Sequence, residues 1–241
     1  MSPEADLLVA FEEHSPDGIR AALAAGAGPN IESLVESYLR SPRFADCLRV
    51  LIEAGASTSD PLLEAVLLDD EVTLQQVLDS SPQEVGRLLR VRSAFTSCEG
   101  VTALHVCAEF NCVRCARVLL AQGADVNTCA ETDGDGLGGQ TPIFHCVNSI
   151  FNYCRPMMEL LVDAGASLDV RLKGVVWGPG ADWETLVLDV TPVSYAQCGL
   201  YAQFHRRERD VYDNLAYLYQ KRHGAELSLR NVPNRYLAPR K

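Results

Sequence analysis

Three groups of residues in this 241-residue chain carry side chains able to bind or react. Cys112 and Cys115 make a C-x2-C pair with Cys107 just upstream, the thiol spacing that suits zinc. Tyr153, Arg155, Tyr201, His205 and Arg206 mix aromatic rings with cations, and the planar arginine fork suits a carboxylate or phosphate. Trp177 and Trp183, the only tryptophans, flank the turn cluster Gly178-Pro179-Gly180-Ala181-Asp182, with Asp182 and Glu184 as an acidic rim. Such a pair is suited to an interface hot spot for a protein partner. A fourth stretch, Thr128 to Gln140, offers Glu131, Asp133 and Asp135, but not in the ligand order of an EF-hand.

Each group also has a plainer reading. Cys107 and Cys115 fall at core-facing helical positions and Cys112 in a turn, and no second C-x2-C exists. Buried thiols behave as small hydrophobes, so no metal is expected. The tryptophans either fold back and brace a long loop or offer a ring to a partner. The Tyr/His/Arg cluster either caps the end of the core or binds a small ligand. Glu131 to Asp135 read as a solvated loop. No nucleophile elbow, His-Glu-x-x-His, phosphate loop or dinucleotide fingerprint occurs, so neither catalytic residues nor cofactors are expected.

The elements that must position these residues are announced by a recurring helix ending. Gly-Ala follows an amphipathic segment at Gly26-Ala27, Gly55-Ala56, Gly123-Ala124, Gly165-Ala166 and Gly224-Ala225. Glycine there ends a helix because it accepts left-handed backbone angles without a steric penalty. Pro16, Pro42, Pro61 and Pro156 open helices, and Ser15, Ser41 and Asp60 precede three of them as caps. Pro61 to Ser81 is a degenerate unit, and a further helix is expected over Pro82 to Arg92. Within Gly100 to Asn127, Thr102 starts a short helix, Asn111 turns the chain, and a second helix runs to the Gly stop.

That last unit supplies Thr102, Leu104, His105 and, one place late, Ala108 of the pattern T-P-L-H-x-A, and it resembles an ankyrin repeat. Thr141-Pro142 and Thr191-Pro192 keep the start of the pattern. Phe144 and Ser194 replace its histidine, and His145 is shifted by one position, so those units depart from the ideal. The resemblance implies an all-α solenoid (an α-α solenoid) of about six helix-turn-helix repeats. Residues 1–100 hold degenerate repeats and 101–229 better-matched ones, making one domain over 1–229 followed by a basic tail at 230–241. The excess residues between repeats lengthen the connecting fingers. Alternating apolar runs on either side of the Gly178–Asp182 turn make the finger at 169–190 a β-hairpin. The insertions Asn148–Arg155 and Gly199–Asp210 lie at the opposite end and should meet.

The resemblance also implies protein recognition without chemistry, through the concave face and the long finger. Composition agrees: 47% of residues are hydrophobic, enough for a sizeable core. Nine cysteines without a secretory signal read as reduced thiols in a cytoplasm. No apolar run is long enough for a membrane. The net charge is −11; the chain from Phe204 onward holds 9 Lys+Arg against 4 Asp+Glu, leaving −16 on the remainder. An acidic body repels phosphate backbones, so nucleic acid is excluded as a general partner. The expected partner is a protein and the expected state a monomer. An acidic inhibitor of a basic surface, or a ligand-binding protein or enzyme built on the Tyr/His/Arg cluster, are the alternatives.

Overall fold

The computed structural model describes residues 2–37, 40–96 and 98–227; the expected basic tail at 230–241 lies outside them. Helix starts are set locally by short polar side chains that accept from the first free N–H groups. Ser2 does this for α1 (Pro3–Glu12), Ser15 for α2 (Pro16–Ala24) and Asn30 for α3 (Ile31–Val35). α4 (Phe44–Glu53) begins two residues beyond the expected Ser41-Pro42 start and has no side-chain cap. The Ser41 hydroxyl lies 2.7 Å from Nδ1 of His14 and accepts from the Arg43 N–H at 3.3 Å. Asp60 caps α5 (Pro61–Leu67) and Asp70 caps α6 (Glu71–Ser80).

The helix expected over Pro82 to Arg92 is not formed. A short 3-10 turn, Pro82–Gly86, is followed by β1 (Leu89–Val91), which pairs antiparallel with β2 (Cys98–Val101). Leu89 and Val91 are buried while Arg90 faces solvent, an alternation of period two that only a strand satisfies.

Beyond β2 come α7 (Ala103–Phe110) and α8 (Val113–Ala121), with the left-handed turn at Asn111 between them. The Thr102 N–H donates to Nδ1 of His105 at 3.1 Å, and the His105 Nε2 donates to the carbonyl of Gln140 at 3.0 Å. At Thr191 the substituting serine performs the first of these tasks. The Thr191 N–H donates to Ser194 Oγ at 2.8 Å and the Ser194 N–H returns to Thr191 Oγ1 at 3.2 Å. Phe144 has no group to do so. Thr141 Oγ1 is buried there without a partner among the described residues, and the segment forms a 3-10 turn, Pro142–His145, in place of an α-helix. α9 (Arg155–Asp163) completes that unit. The finger follows as β3 (Leu172–Trp177) paired antiparallel with β4 (Thr185–Val190), then α10 (Pro192–Gln197) and α11 (Glu208–His223).

All five Gly-Ala glycines take positive φ, from 66° at Gly224 to 106° at Gly26. The turns inside the helix pairs share a second left-handed position that has no glycine: His14, Asp69, Asn111, Asn152 and His205. Several of these residues tie one pair to the next. Asp69 accepts from the backbone of Cys115 at 2.9 Å and from Arg114, and Asn152 accepts from the Asn214 amide at 2.9 Å. One apolar core runs through the stack from Leu7 and Phe11 in α1 to Leu215 and Leu218 in α11. Among the described residues no helix is long and apolar enough to cross a membrane.

Two histidines of this frame are buried and held neutral. Burial, then the charges of Arg40 and Arg43, lowers the pKa of His14 to about 4. Burial, then His145, lowers that of His105 to about 3. The unfolded chain binds protons at these sites near pH 6.5 and the folded chain does not. Stability is therefore full above that pH and falls as pH drops toward 4, by about 1.4 kcal/mol per pH unit for each histidine. Urea unfolding at a series of pH values should show this slope. The His14→Gln variant should lose one histidine's share of it; an unchanged slope would contradict the assignment.

Candidate functional site

Glu109 is the one carboxylate on α7, and the helix buries it with everything else it carries. Its Oε2 lies 3.1 Å from Nδ1 of His145, its Oε1 accepts from Ser93 Oγ at 3.1 Å, and the buried Arg40 guanidinium stands 3.9 Å away. Burial pulls the Glu109 pKa upward, but the hydrogen bond and charge of His145, the charge of Arg40 and the Ser93 hydroxyl together bring it below the usual carboxylate value. Arg40 is held in turn by the carbonyls of Ser37 at 2.6 Å and Val35 at 3.1 Å, and lies over the Phe110 ring.

This cluster forms the polar end of a cavity of about 490 Å³. The opposite wall is aromatic. Trp177 is sandwiched between Phe95, with ring centroids 5.1 Å apart, and Phe204, at 4.1 Å, both within 13° of parallel. Trp183 tilts against Trp177 at 4.9 Å. Arg206 closes one side, donating from Nε to the carbonyl of Asn148 at 2.8 Å and from Nη1 to that of Phe204. Burial lowers its pKa.

The finger reaches the cavity because its backbone is tied to the loop between β1 and β2. The Gly178 N–H donates to the Phe95 carbonyl at 2.8 Å, and Thr96 bridges to Trp177. Gly178 has positive φ, and a Cβ there would land inside the Trp183 ring. The loop at Thr128–Gln140 leans on the other end of β3, where the Gly138 N–H donates to the Gly174 carbonyl at 2.9 Å. Asp133 is engaged within that loop, accepting from the backbone of Asp135 and Leu137.

The partner-contact candidates divide between interior and tip. Trp177 is 4% exposed and Trp183 half-buried, whereas Asp182 and Glu184 are exposed, Glu184 accepting from the Gly180 N–H at 2.7 Å. The Tyr/His/Arg group does not converge. Tyr153 is half-buried in a separate recess beside Asn111 and Cys112, and Arg155 pairs with Glu159 and Asn214 and stacks on Tyr217. Tyr201 is exposed, while His205 and Arg206 line the main cavity. The two insertions do meet: besides Arg206 on Asn148, Arg207 stacks on Phe151.

Cys107, Cys112 and Cys115 are buried free thiols, each with its pKa raised by burial. They do not assemble as a metal set. Among the described residues, the three-donor group within 4.8 Å is Cys98, Glu109 and His145, and there the carboxylate and imidazole already bond each other. Sequence reading did not find Glu109, Arg40 or Phe95. The available signal was Glu109 itself, a lone charge in the otherwise core-type run ALHVCAEF.

A family model described as ankyrin repeats, in three copies, matches residues 44–171. No curated protein matches the chain.

The packing of Trp183 on Gly178 yields a direct test. Gly178→Ala should displace the ring, shift tryptophan emission to longer wavelength and lower stability by about 2 kcal/mol, combining strained φ with lost packing. Fluorescence and urea unfolding of the variant check both; unchanged emission would contradict the contact.

Proposed function

Because the chain belongs to the ankyrin-repeat family, whose members are generally protein-interaction modules and typically non-catalytic, we propose that it recognises a protein partner through its long finger and the adjoining concave face. In this reading the stack holds about six units and works as a monomer in the cytoplasm, without cofactor. Its nine cysteines, none in a disulfide, support a reducing compartment.

One observation carries the finger as the recognition element. Leu186 and Leu188 on β4 are 51% and 61% exposed, while Val187 and Val190 of the same strand are buried. The hairpin thus has an inner face packed on the protein and an outer face that leaves two leucines in water. Covering them would return about 1 kcal/mol each, being half of what full burial of a leucine gives. Asp182 and Glu184 beside them supply an acidic rim, which favours a partner whose apolar pocket is edged by lysine or arginine. Trp177 and Trp183 act from within, anchoring the finger in place.

The double variant Leu186→Ser, Leu188→Ser should keep the fold, because neither side chain is in the core. It should lose the partner captured from a native lysate by the intact chain, and with that partner purified its affinity should fall at least tenfold. Raised salt should weaken the intact complex through the acidic rim. Equal binding by both chains would remove the finger from the interface.

A further inference from the structure

Protein recognition by the outer face of the finger leaves the cavity between finger and stack without a role, and a role for the cavity does not depend on that recognition. We infer that this cavity binds a small, flat aromatic acid, whose carboxylate Arg206 receives while its ring lies against Phe95 and Trp183.

The charge of the ligand follows from which charges around the cavity are already met. Glu109 and Arg40 stand 3.9 Å apart as a buried pair, and Glu109 also accepts from Ser93. Glu12 is exposed, where water and salt screen it. Arg206 differs from all three. It is held by two backbone carbonyls, those of Asn148 and Phe204, and Glu109 acts on it without a hydrogen bond. Those carbonyls engage Nε and Nη1. Nη2 bonds no described residue and is not among the fully covered atoms that lack a partner. Arg206 lines the cavity and keeps part of its surface open, whereas Arg40 and Glu109 are buried. A guanidinium in this state gains a charge-assisted bond from a carboxylate, which also offsets its lost hydration. A single negative charge suits it better than the two of a phosphate, because Glu109 and Glu12 line the same space and repel the second.

The ring follows from the wall. Phe95, Ile150 and Trp183 line the cavity and are each partly exposed, so they keep apolar surface that a ligand can cover. Trp177, with its two faces stacked on Phe95 and Phe204, holds that wall in place. Flat rings meet such a wall in offset or edge contacts. The volume of about 490 Å³ lies within the range of small-molecule sites.

The test uses 2-naphthoate and 2-naphthamide, which share the ring system and the carbonyl and differ in charge. The chain has two tryptophans, both on the cavity, so their indole N–H resonances report occupancy. Titration of the full chain at about pH 7, where the acid is ionised, should shift both resonances saturably with naphthoate. The amide should bind about tenfold more weakly, and acetate, which lacks the ring, should leave the resonances unmoved. Intermolecular nuclear Overhauser contacts from the naphthyl protons should reach the Phe95 and Trp183 rings. Arg206→Gln keeps a donor and removes the charge. It should lose the preference for naphthoate and bind naphthamide as the unmodified chain does, whereas a purely structural role for Arg206 would weaken both compounds alike.

Absence of a saturable indole shift with naphthoate would overturn the inference. So would equal binding of naphthoate and naphthamide by the unmodified chain, an acetate shift as large as that of naphthoate, or naphthyl contacts to neither ring. An equal loss of both compounds in Arg206→Gln would remove Arg206 as the carboxylate's receiver. Should that variant fail to fold, the compound pair and the ring contacts on the unmodified chain still decide.

Discussion

Glu109 keeps a carboxylate ionised inside the stack, and the arrangement of the central part of the protein depends on how that charge is met. A buried charge is tolerated only when paired and hydrogen-bonded. Here the partners come from three other segments: Arg40 from the stretch before α4, Ser93 from the loop after β1, and His145 from the 3-10 turn. Loss of the carboxylate would remove the anion that these three side chains share, so the four segments hold their positions together. The loop that carries Ser93 also carries Phe95 and Thr96, through which the finger is attached. One loop therefore joins the charged end of the cavity to its aromatic wall.

The finger shows how an insertion into a repeat becomes part of the body. Among the described residues its two strands form a sheet of their own with no third strand, and such a hairpin by itself would be marginal in water. The ring stack Phe95–Trp177–Phe204 brings together the β1–β2 loop, β3 and the segment before α11, supplying burial that two strands cannot supply alone. The consequence is a cavity of about 490 Å³ between finger and stack, and an outward strand face that carries Leu186 and Leu188.

Departure from the repeat pattern and the presence of the site are linked at Thr141. With histidine at position 144, the Thr141 N–H would have the partner that Thr102 finds in His105, and the helix would start as α7 does. Phe144 puts a ring into the core instead, the turn tightens to 3-10 geometry, and His145 meets Glu109. At Thr191 the serine substitution restores the reciprocal bonds, and a regular α-helix follows. The same motif position thus separates a structural unit from one that contributes to a cavity.

By itself the amino-acid sequence determined what local forces determine. The Gly-Ala endings, the caps at Ser15 and Asp60, the Thr102–His105 start and the two strands of the finger follow from backbone angles, nearby hydrogen bonds and alternation, all acting within a few residues. Local signals misled at Ser41, whose hydroxyl accepts from the Arg43 N–H and also bonds His14 of another unit while the helix starts only at Phe44, and at Leu89–Val91, where three residues are too short for alternation to stand out. Tertiary structure alone decided which face of the hairpin is covered, since alternation defines two faces without saying what lies against either. It also decided that Tyr153 and Arg155 part from His205 and Arg206, and that Glu109, Arg40 and His145 come together. Those side chains are remote in sequence and meet only because the stack places their segments side by side, and no local preference of any one of them encodes the other two.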